Sequence, residues 1–445
     1  MAKTPTRGSG AGIASSMSEV TVNSLDTSLE TLLQAAMSNP EGHTGRYIAV
    51  FKEGPTTKIE GMVQNHFGGT FAQSLDFEGA AVEMAALGGA DSLTFNNLGI
   101  ALLGGGAAMA AQESAASAFL ADSDVADLPY ILVPETIMWA QTDPQSYLQG
   151  FLAAAGQIAH DLGTGLPVVR HTEASDMAAT NATWGLGATR VPGSAFTGRG
   201  IRVAVLDTGL DVDHPDFAGR RILAQSFIPG ETPMDGNGHG THTAGTSCGP
   251  SSPVTPGMRY GIAYESDILI GKVLSNAGSG PTGGILNGIN WALENGAHVI
   301  NMSLGNRVQT ASPDYVQAGQ AALDRGALII AAAGNFNEPS GQPANSPTIF
   351  SVSALDQQFG KAGFSNFGKV EIGAPGTSIE SSLPRPRLRG FLQGTSMAAP
   401  HVTGIAALYA QGLGLRGMAL WRHLRSQARS ISLPPANTGT GLVQA

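Results

Sequence analysis

From Trp184 onward, runs that are apolar at nearly every position alternate with helical segments. IRVAVLD and SDILIGKVL are followed by the helical GGILNGINWALENG, then AHVINMSLG, the helical DYVQAGQAALDRG, and ALIIAAAGN. Strands with no polar face need cover on both sides, and the alternation with helices supplies it. The pattern predicts an α/β fold, a doubly wound and mostly parallel sheet with helices on both faces. In such sheets functional groups collect beyond the carboxyl ends of the strands. That rule selects Asp207 after IRVAVL, Ser303-Leu304-Gly305 after AHVINM, and Asn335 after ALIIAAAG.

The front of the chain has a different pattern. Residues 1–44 read as a flexible tail with a weakly amphipathic helix around Leu25–Met37. Residues 45–139 read as a small α+β unit that opens with the strand RYIAVFKEG and closes with the strand-like LPYILVPETIMWA. Residues 140–183 read as a linker holding one helix, DPQSYLQGFLAAAGQIAHDLG. There is no internal repeat.

Composition narrows the class. The chain has 445 residues, 42% of them apolar, which is enough for a sizeable core and two or three domains. Its 60 glycines, roughly twice the usual share, fall at turns and strand ends and not in low-complexity runs. The net charge of -10 lies entirely in residues 1–142, which hold 5 Lys+Arg against 15 Asp+Glu. That asymmetry argues against a nucleic-acid partner, which calls for basic patches. The single cysteine, Cys248, excludes an intrachain disulfide. The N-terminal stretch lacks the apolar core of a signal peptide, and LGIALLGGGAAMAA is too short and glycine-broken to span a membrane. The expectation is a cytoplasmic protein with no membrane partner, with export by a non-classical route left open.

Acyl transfer needs a nucleophile, a base, a group that orients the base, and donors aimed at the developing oxyanion. Asp207, in VAVLDTGLDVDHPDF, is a carboxylate at the end of a buried strand. His239, in GNGHGTHTAGT, stands where glycines allow close packing as a helix begins. His242 follows three residues on, but HGTH lacks the spacing and glutamate of a zinc helix, so His242 reads as a packed helix residue. Asn335 can offer amide hydrogens. Ser396, in GTSMAAPHVTG, sits where a helix starts, with an unpaired backbone N–H at the positive dipole end. Pro400 has no N–H to give the Ser396 carbonyl, which leaves that helix start irregular.

Taken together and in this order, DTG at Asp207, HGTHTAG at His239, SLG at Ser303, AAAGN at Asn335, APGTSIESSLP at Ala374–Pro384 and GTSMAAPHV at Gly394 closely resemble the subtilisin-like serine proteases, or subtilases. The likeness covers residues 184–445. It implies a serine endopeptidase in which Ser396 attacks the scissile carbonyl, His239 moves the proton, Asp207 fixes the imidazole tautomer, and Asn335 with the Ser396 N–H holds the oxyanion. It also implies that a peptide or protein substrate lies as an added strand between Gly278-Ser279-Gly280 and Ser303-Leu304-Gly305. The pocket for the residue before the cleaved bond would be lined by Ser303, Leu304, Gly305, Ala331, Ala332, Gly334 and Gly341. No charge appears among these, so an uncharged, apolar side chain is expected there.

No cofactor is implied for the chemistry. Structural calcium is suggested by Asp216, which matches one carboxylate of a common subtilase site, although CGPSSPVTPGMRYGIA lacks the asparagine-containing loop that completes it. RYIAVFKEG and LVPETIMWA resemble, less specifically, the inhibitor-like prodomains of subtilases. That implies an autoinhibited zymogen, with its own prodomain as intramolecular partner and an autocleavage site in the segment after Trp139. Two rival readings are an inactive peptide-binding relative and a peptide ligase or macrocyclase on the same scaffold.

Overall fold

The computed structural model describes residues 22–55, 58–74, 87, 89–120, 128–141 and 181–445. The helix expected in DPQSYLQGFLAAAGQIAHDLG lies outside the described residues. Among those described, no helix is long and apolar enough to cross a membrane.

In the front part, alternate apolar positions give strands with two buried faces. β1 (His43–Phe51) lies between β5 (Tyr130–Ala140) and β4 (Ile100–Leu103), antiparallel to both. β3 (Ser92–Phe95) runs antiparallel to β4, and β2 (Phe71–Gln73) closes that edge parallel to β3. Ala49, Phe51, Ala101 and Leu103 pack under α2 (Ile59–Phe67) and α3 (Gly105–Leu120). The alternate set, Ile48, Val50, Ile100 and Leu102, faces the opposite way into the core of the large domain. A period of two therefore decides which helices each face meets.

The stretch 22–44 differs from the expected tail. α1 (Leu29–Ser38) is capped by the Ser28 hydroxyl, which accepts from Thr31 N. Leu25 and Leu32 are both buried, and Leu25 belongs to the main core. Two apolar anchors were enough to hold a segment whose composition looked unremarkable.

The second sheet also has seven strands, all parallel as the apolar runs predicted, although those runs marked only four of them. In chain order they are β6 (Arg202–Asp207), β7 (Ile222–Ser226), β8 (Asp267–Lys272), β10 (Val299–Met302), β12 (Leu328–Ala332), β13 (Phe350–Leu355) and β14 (Ile372–Pro375). Their spatial order is 14-13-12-10-6-8-7, so the winding reverses at β6. Val203, Val205 and Ile330 face α4 (His239–Cys248) and α7 (Thr395–Leu413), while Ala204, Leu206 and Ile329 face α5 (Thr282–Glu294) and α6 (Pro313–Asp324). α8 (Gly417–Ser426) adds Leu420, Trp421 and Leu424 to the first of these cores. β15 (Ile379–Ser382) and β16 (Arg389–Leu392) form a separate antiparallel pair.

The two sheets meet through β5. Its far end pairs antiparallel with β9 (Ser279–Pro281) and with β11 (Leu304–Gly305). Beside that junction Glu135, fully buried, accepts from Arg46 Nε at 2.7 Å, Arg46 Nη2 at 2.9 Å and Thr44 Oγ1 at 2.6 Å. Its Oε1 also accepts from the Gly283 N–H at 2.9 Å, at the first turn of α5. A carboxylate suits that place because first-turn amides have no intrahelical acceptor and the helix dipole is positive there.

Candidate active site

The site forms where the winding of the parallel sheet reverses, above the carboxyl ends of β6, β10 and β12. Asp207 closes β6 with its side chain 1% exposed. Its Oδ1 lies 2.6 Å from His239 Nδ1 and accepts from Thr208 N at 2.7 Å, while Oδ2 accepts from Thr243 Oγ1 at 3.2 Å. With Nδ1–H donating to the carboxylate, Nε2 is the nitrogen left to take a proton. Nε2 is buried and has no hydrogen-bond partner among the described residues.

Asp235 holds the helix that carries His239, and sequence reading missed it. One oxygen accepts from Gly238 N at 2.8 Å, Asn237 N at 3.0 Å and Thr208 Oγ1 at 2.9 Å. The other accepts from Thr241 N at 2.8 Å and Thr241 Oγ1 at 2.7 Å. The signal was an acidic residue four positions before His239, where a helix N-terminus favours one. His242 packs beneath, its Nε2 3.0 Å from the Ile379 carbonyl, and burial pushes it down to about 3. Burial likewise pushes the Cys248 thiol up, away from the reactive thiolate.

α7 begins at Thr395, one residue earlier than the Pro400 argument assumed, with Gly394 at its N-cap. Pro400 has the expected consequence: the Ser396 carbonyl accepts from the Ser303 hydroxyl at 2.9 Å in place of an intrahelical bond. In return the Ser396 hydroxyl donates to the Ser303 carbonyl at 3.0 Å. The resemblance implied that His239 takes the proton of that hydroxyl. Here the Ser303 carbonyl, also buried, competes for the same proton.

Asn335 lies just beyond β12. Its Oδ1 accepts from Thr395 N and Thr395 Oγ1, both at 2.9 Å. This fixes the amide so that Nδ2 faces outward, and at 2.5 Å it donates to a peptide carbonyl, that of Gln141. A side chain at Gly394 would project its Cβ to 2.7 Å from that carbonyl oxygen and 3.0 Å from Asn335 Nδ2. Gly394 also has φ +148°, so only glycine serves here.

The end of β5 occupies the groove expected for substrate. Trp139 pairs with Ser279 and Gly305, Met138 with Gly280, and Ala140 with Leu304. Ala140 N donates to the Gly278 carbonyl at 2.9 Å and Gln141 N to the Ser303 carbonyl at 3.2 Å. The remaining pocket residues play supporting parts. Ala331 and Ala332 are buried in the two cores, the Gly334 N–H donates to Thr395 Oγ1 at 3.1 Å, and the Gly341 N–H donates to the Ala333 carbonyl at 3.3 Å. The side chain seated beside Gly305 is that of Gln141, whose Nε2 donates to the Gly305 carbonyl at 2.8 Å.

Asp216 has its oxygens taken. It accepts from Val254 N at 2.7 Å, Thr255 N at 2.9 Å, Thr255 Oγ1 at 2.5 Å and Tyr260 Oη at 2.6 Å. Burial acts to raise its pKa, but the Thr255 and Tyr260 donors outweigh it and hold the carboxyl below its ordinary range. A carboxylate offers about four lone-pair positions, so these donors leave none pointing at a cation. Among the described residues, no three His, Cys, Asp or Glu side chains group as metal ligands.

The model of the subtilase family, peptidase S8, matches residues 198–425, just over half of the chain. The chain belongs to the subtilase family. This subtilase is 39% identical over 274 residues to subtilisin Savinase of Lederbergia lenta, a match covering 60% of this chain and 98% of that one. It is 39% identical over 277 residues to the M-protease of Shouchella clausii (strain KSM-K16), covering 60% and 70% of the two chains. With subtilisin-like protease 1 of Trichophyton rubrum it shares 37% over 276 residues, covering 58% of this subtilase and 52% of the relative. A crystal structure of a cold-adapted subtilisin-like serine proteinase aligns with a TM-score of 0.53 at 33% identity, over 59% of this chain and 98% of that one. The fold is subtilisin-like, and the activity class is that of a serine endopeptidase, a hydrolase acting on peptide bonds.

Proposed function

We propose that this subtilase is made as an autoinhibited, self-processing zymogen whose chemistry is carried by Ser396, His239, Asp207 and Asn335. One observation carries the reading. A peptide carbonyl of the chain itself, that of Gln141, is seated on the Asn335 amide at 2.5 Å, at the site where Asp207 and His239 are bonded at 2.6 Å. In the reaction the Ser396 hydroxyl leaves the Ser303 carbonyl and turns to His239 Nε2, which takes its proton as Oγ attacks. Asp207 holds the neutral tautomer and offsets the charge of the imidazolium. Asn335 Nδ2 and the Ser396 N–H, free of any intrahelical acceptor, stabilise the oxyanion.

Residues 45–139 act in this reading as an inhibitor-like prodomain, residues 140–183 carry the processing region, and residues 184–445 are the catalytic domain. The prodomain presents β5 as the middle strand between β9 and β11, where a substrate peptide would add. Asp216 serves as a hydrogen-bonded clasp for the Val254–Tyr260 loop and not as a calcium ligand. Catalysis requires no cofactor.

Labelling with a fluorophosphonate probe tests the reading. The adduct should map to Ser396, and Ser396→Ala should remove both labelling and peptide hydrolysis. Asn335→Ala should lower kcat by about 10²–10³, the loss measured for such a donor in a subtilisin. Absence of label in a folded, processed chain would return the protein to the class of peptide binders. Transfer of the acyl group to an added amine in preference to water would make it a ligase.

A further inference from the structure

We propose that the bond on the carboxyl side of Gln141 is the one the protein cuts in itself, and that its cleft selects substrates with a glutamine carboxamide before the cleaved bond. The proposal rests on the self-processing reading above and gives it a position and a recognition chemistry.

The position follows from register. Trp139 and Ala140 are spent as ladder residues, paired with Gly305 and Leu304, and the Ala140 N–H is used on the Gly278 carbonyl at 2.9 Å. Gln141 is the first residue past the ladder. Its N–H reaches the Ser303 carbonyl at 3.2 Å and its own carbonyl meets Asn335 Nδ2 at 2.5 Å. Strand pairing fixes which residue reaches the end of the groove, and a slip by one would turn each side chain to the other face. Among the described residues, the Gln141 carbonyl is the one that Asn335 Nδ2 polarises.

Recognition follows from the side chain, which is 3% exposed. Gln141 Nε2 donates to the Gly305 carbonyl at 2.8 Å and lies 3.4 Å from the Trp139 carbonyl. The pocket therefore presents an acceptor, the Gly305 carbonyl, and calls for a donor, while the Trp139 carbonyl belongs to the strand that Gln141 itself ends. Glutamate has the same length, but its carboxylate would face the Gly305 carbonyl oxygen with no proton to share. Methionine fills the space and leaves the Gly305 carbonyl without this partner. A site built to bond a polar group discriminates against an analogue that lacks it more strongly than an apolar pocket discriminates by size. Ala140, next in line, is small.

The chemistry balances. Ser396 Oγ bonds to the Gln141 carbonyl carbon as its proton passes to His239. The bond to the following nitrogen breaks, and that nitrogen leaves as the amine of Thr142 with the proton. Water then hydrolyses the ester, releasing the Gln141 carboxylate and restoring Ser396.

The test uses the full chain, sampled at the earliest time at which processing is visible. The large fragment should begin at Thr142, with Ser396 labelled by a fluorophosphonate. A first cut elsewhere with Ser396 still labelled overturns this assignment and leaves the protease reading standing; no label and no cut overturns both. Coumarin amides of Met-Trp-Ala-Gln, -Glu, -Met and -Phe then probe the pocket of the processed enzyme. Gln should exceed Glu in kcat/KM by about ten-fold or more and exceed Met by a smaller factor. Equal or faster cleavage after Glu or Phe would refute the carboxamide preference. In the full chain, Gln141→Glu should slow processing and Gln141→Met should slow it less; unchanged rates in both would likewise refute it.

Discussion

Ser303 and Ser396 exchange two hydrogen bonds: the Ser303 hydroxyl donates to the Ser396 carbonyl at 2.9 Å, and the Ser396 hydroxyl donates to the Ser303 carbonyl at 3.0 Å. The first bond replaces the one that Pro400 cannot give. The second keeps the hydroxyl on an acceptor other than His239. Ser303→Ala removes the first bond and leaves a buried carbonyl unpartnered, a loss of about 1–3 kcal/mol. Because that carbonyl belongs to Ser396, the cost should appear in kcat while KM for a short peptide changes little. Steady-state kinetics of Ser303→Ala beside Ser303→Thr checks this, and recovery in the threonine variant identifies the hydroxyl as the agent.

Glu135 joins the front sheet to α5. Arg46, its partner, is 2% exposed, so Glu135→Ala strands a buried guanidinium and loses a helix-capping carboxylate together. Breaking a buried pair from one side costs about 3–5 kcal/mol. In a Ser396→Ala background, where both parts stay joined, Glu135→Ala should make residues 22–141 sensitive to added trypsin and lower the first unfolding midpoint. Unchanged resistance would show that the docking does not depend on this carboxylate.

At Asp216 the clasp and the calcium readings part in one comparison. Asp216→Asn should destabilise the Ser396→Ala chain by about 1.5–3 kcal/mol, the range for hydrogen bonds to a charged group. If the four donors are its whole function, the gap between parent and variant is the same in chelator and in millimolar calcium. A gap that widens with calcium would make Asp216 a ligand.

Acid should weaken the fold through two buried histidines. Burial pushes His401 down to about 4 and His242 down to about 3. In the unfolded chain both take up a proton near 6.5. Below that pH the unfolded state binds protons that the folded state refuses, so stability falls with acid until about pH 4 for His401 and about 3 for His242. Each contributes at most about 1.4 kcal/mol per pH unit in that window. Urea midpoints of the Ser396→Ala chain from pH 7.5 to 5 should show this slope. His401→Gln should flatten it, and an unaltered slope would place the acid sensitivity elsewhere.

Much of the large domain was legible because its signals are local. Apolar runs such as IRVAVLD and ALIIAAAGN can only be strands covered on both faces, and their carboxyl ends mark the crevice by topology alone. Ser396 was legible through its neighbours, since a proline four residues on must orphan its carbonyl. Asp235 and the bonds from Thr395 to Asn335 were missed because each acts by orienting another residue, and an orienting role has no signature until the partner's place is known.

The sequence by itself determined the α/β class, the order of Asp207, His239, Asn335 and Ser396, and the absence of an intrachain disulfide. Each follows from residue type, period or count within one segment. Tertiary structure alone decided that residues 22–44 pack on the front sheet, that Asp216 is saturated by Val254, Thr255 and Tyr260, and that the Gln141 carbonyl meets Asn335. These are contacts between segments tens to hundreds of residues apart, and no local pattern encodes them. They are fixed only when the faces of two sheets are buried together, because a strand's register is set by the groove that receives it.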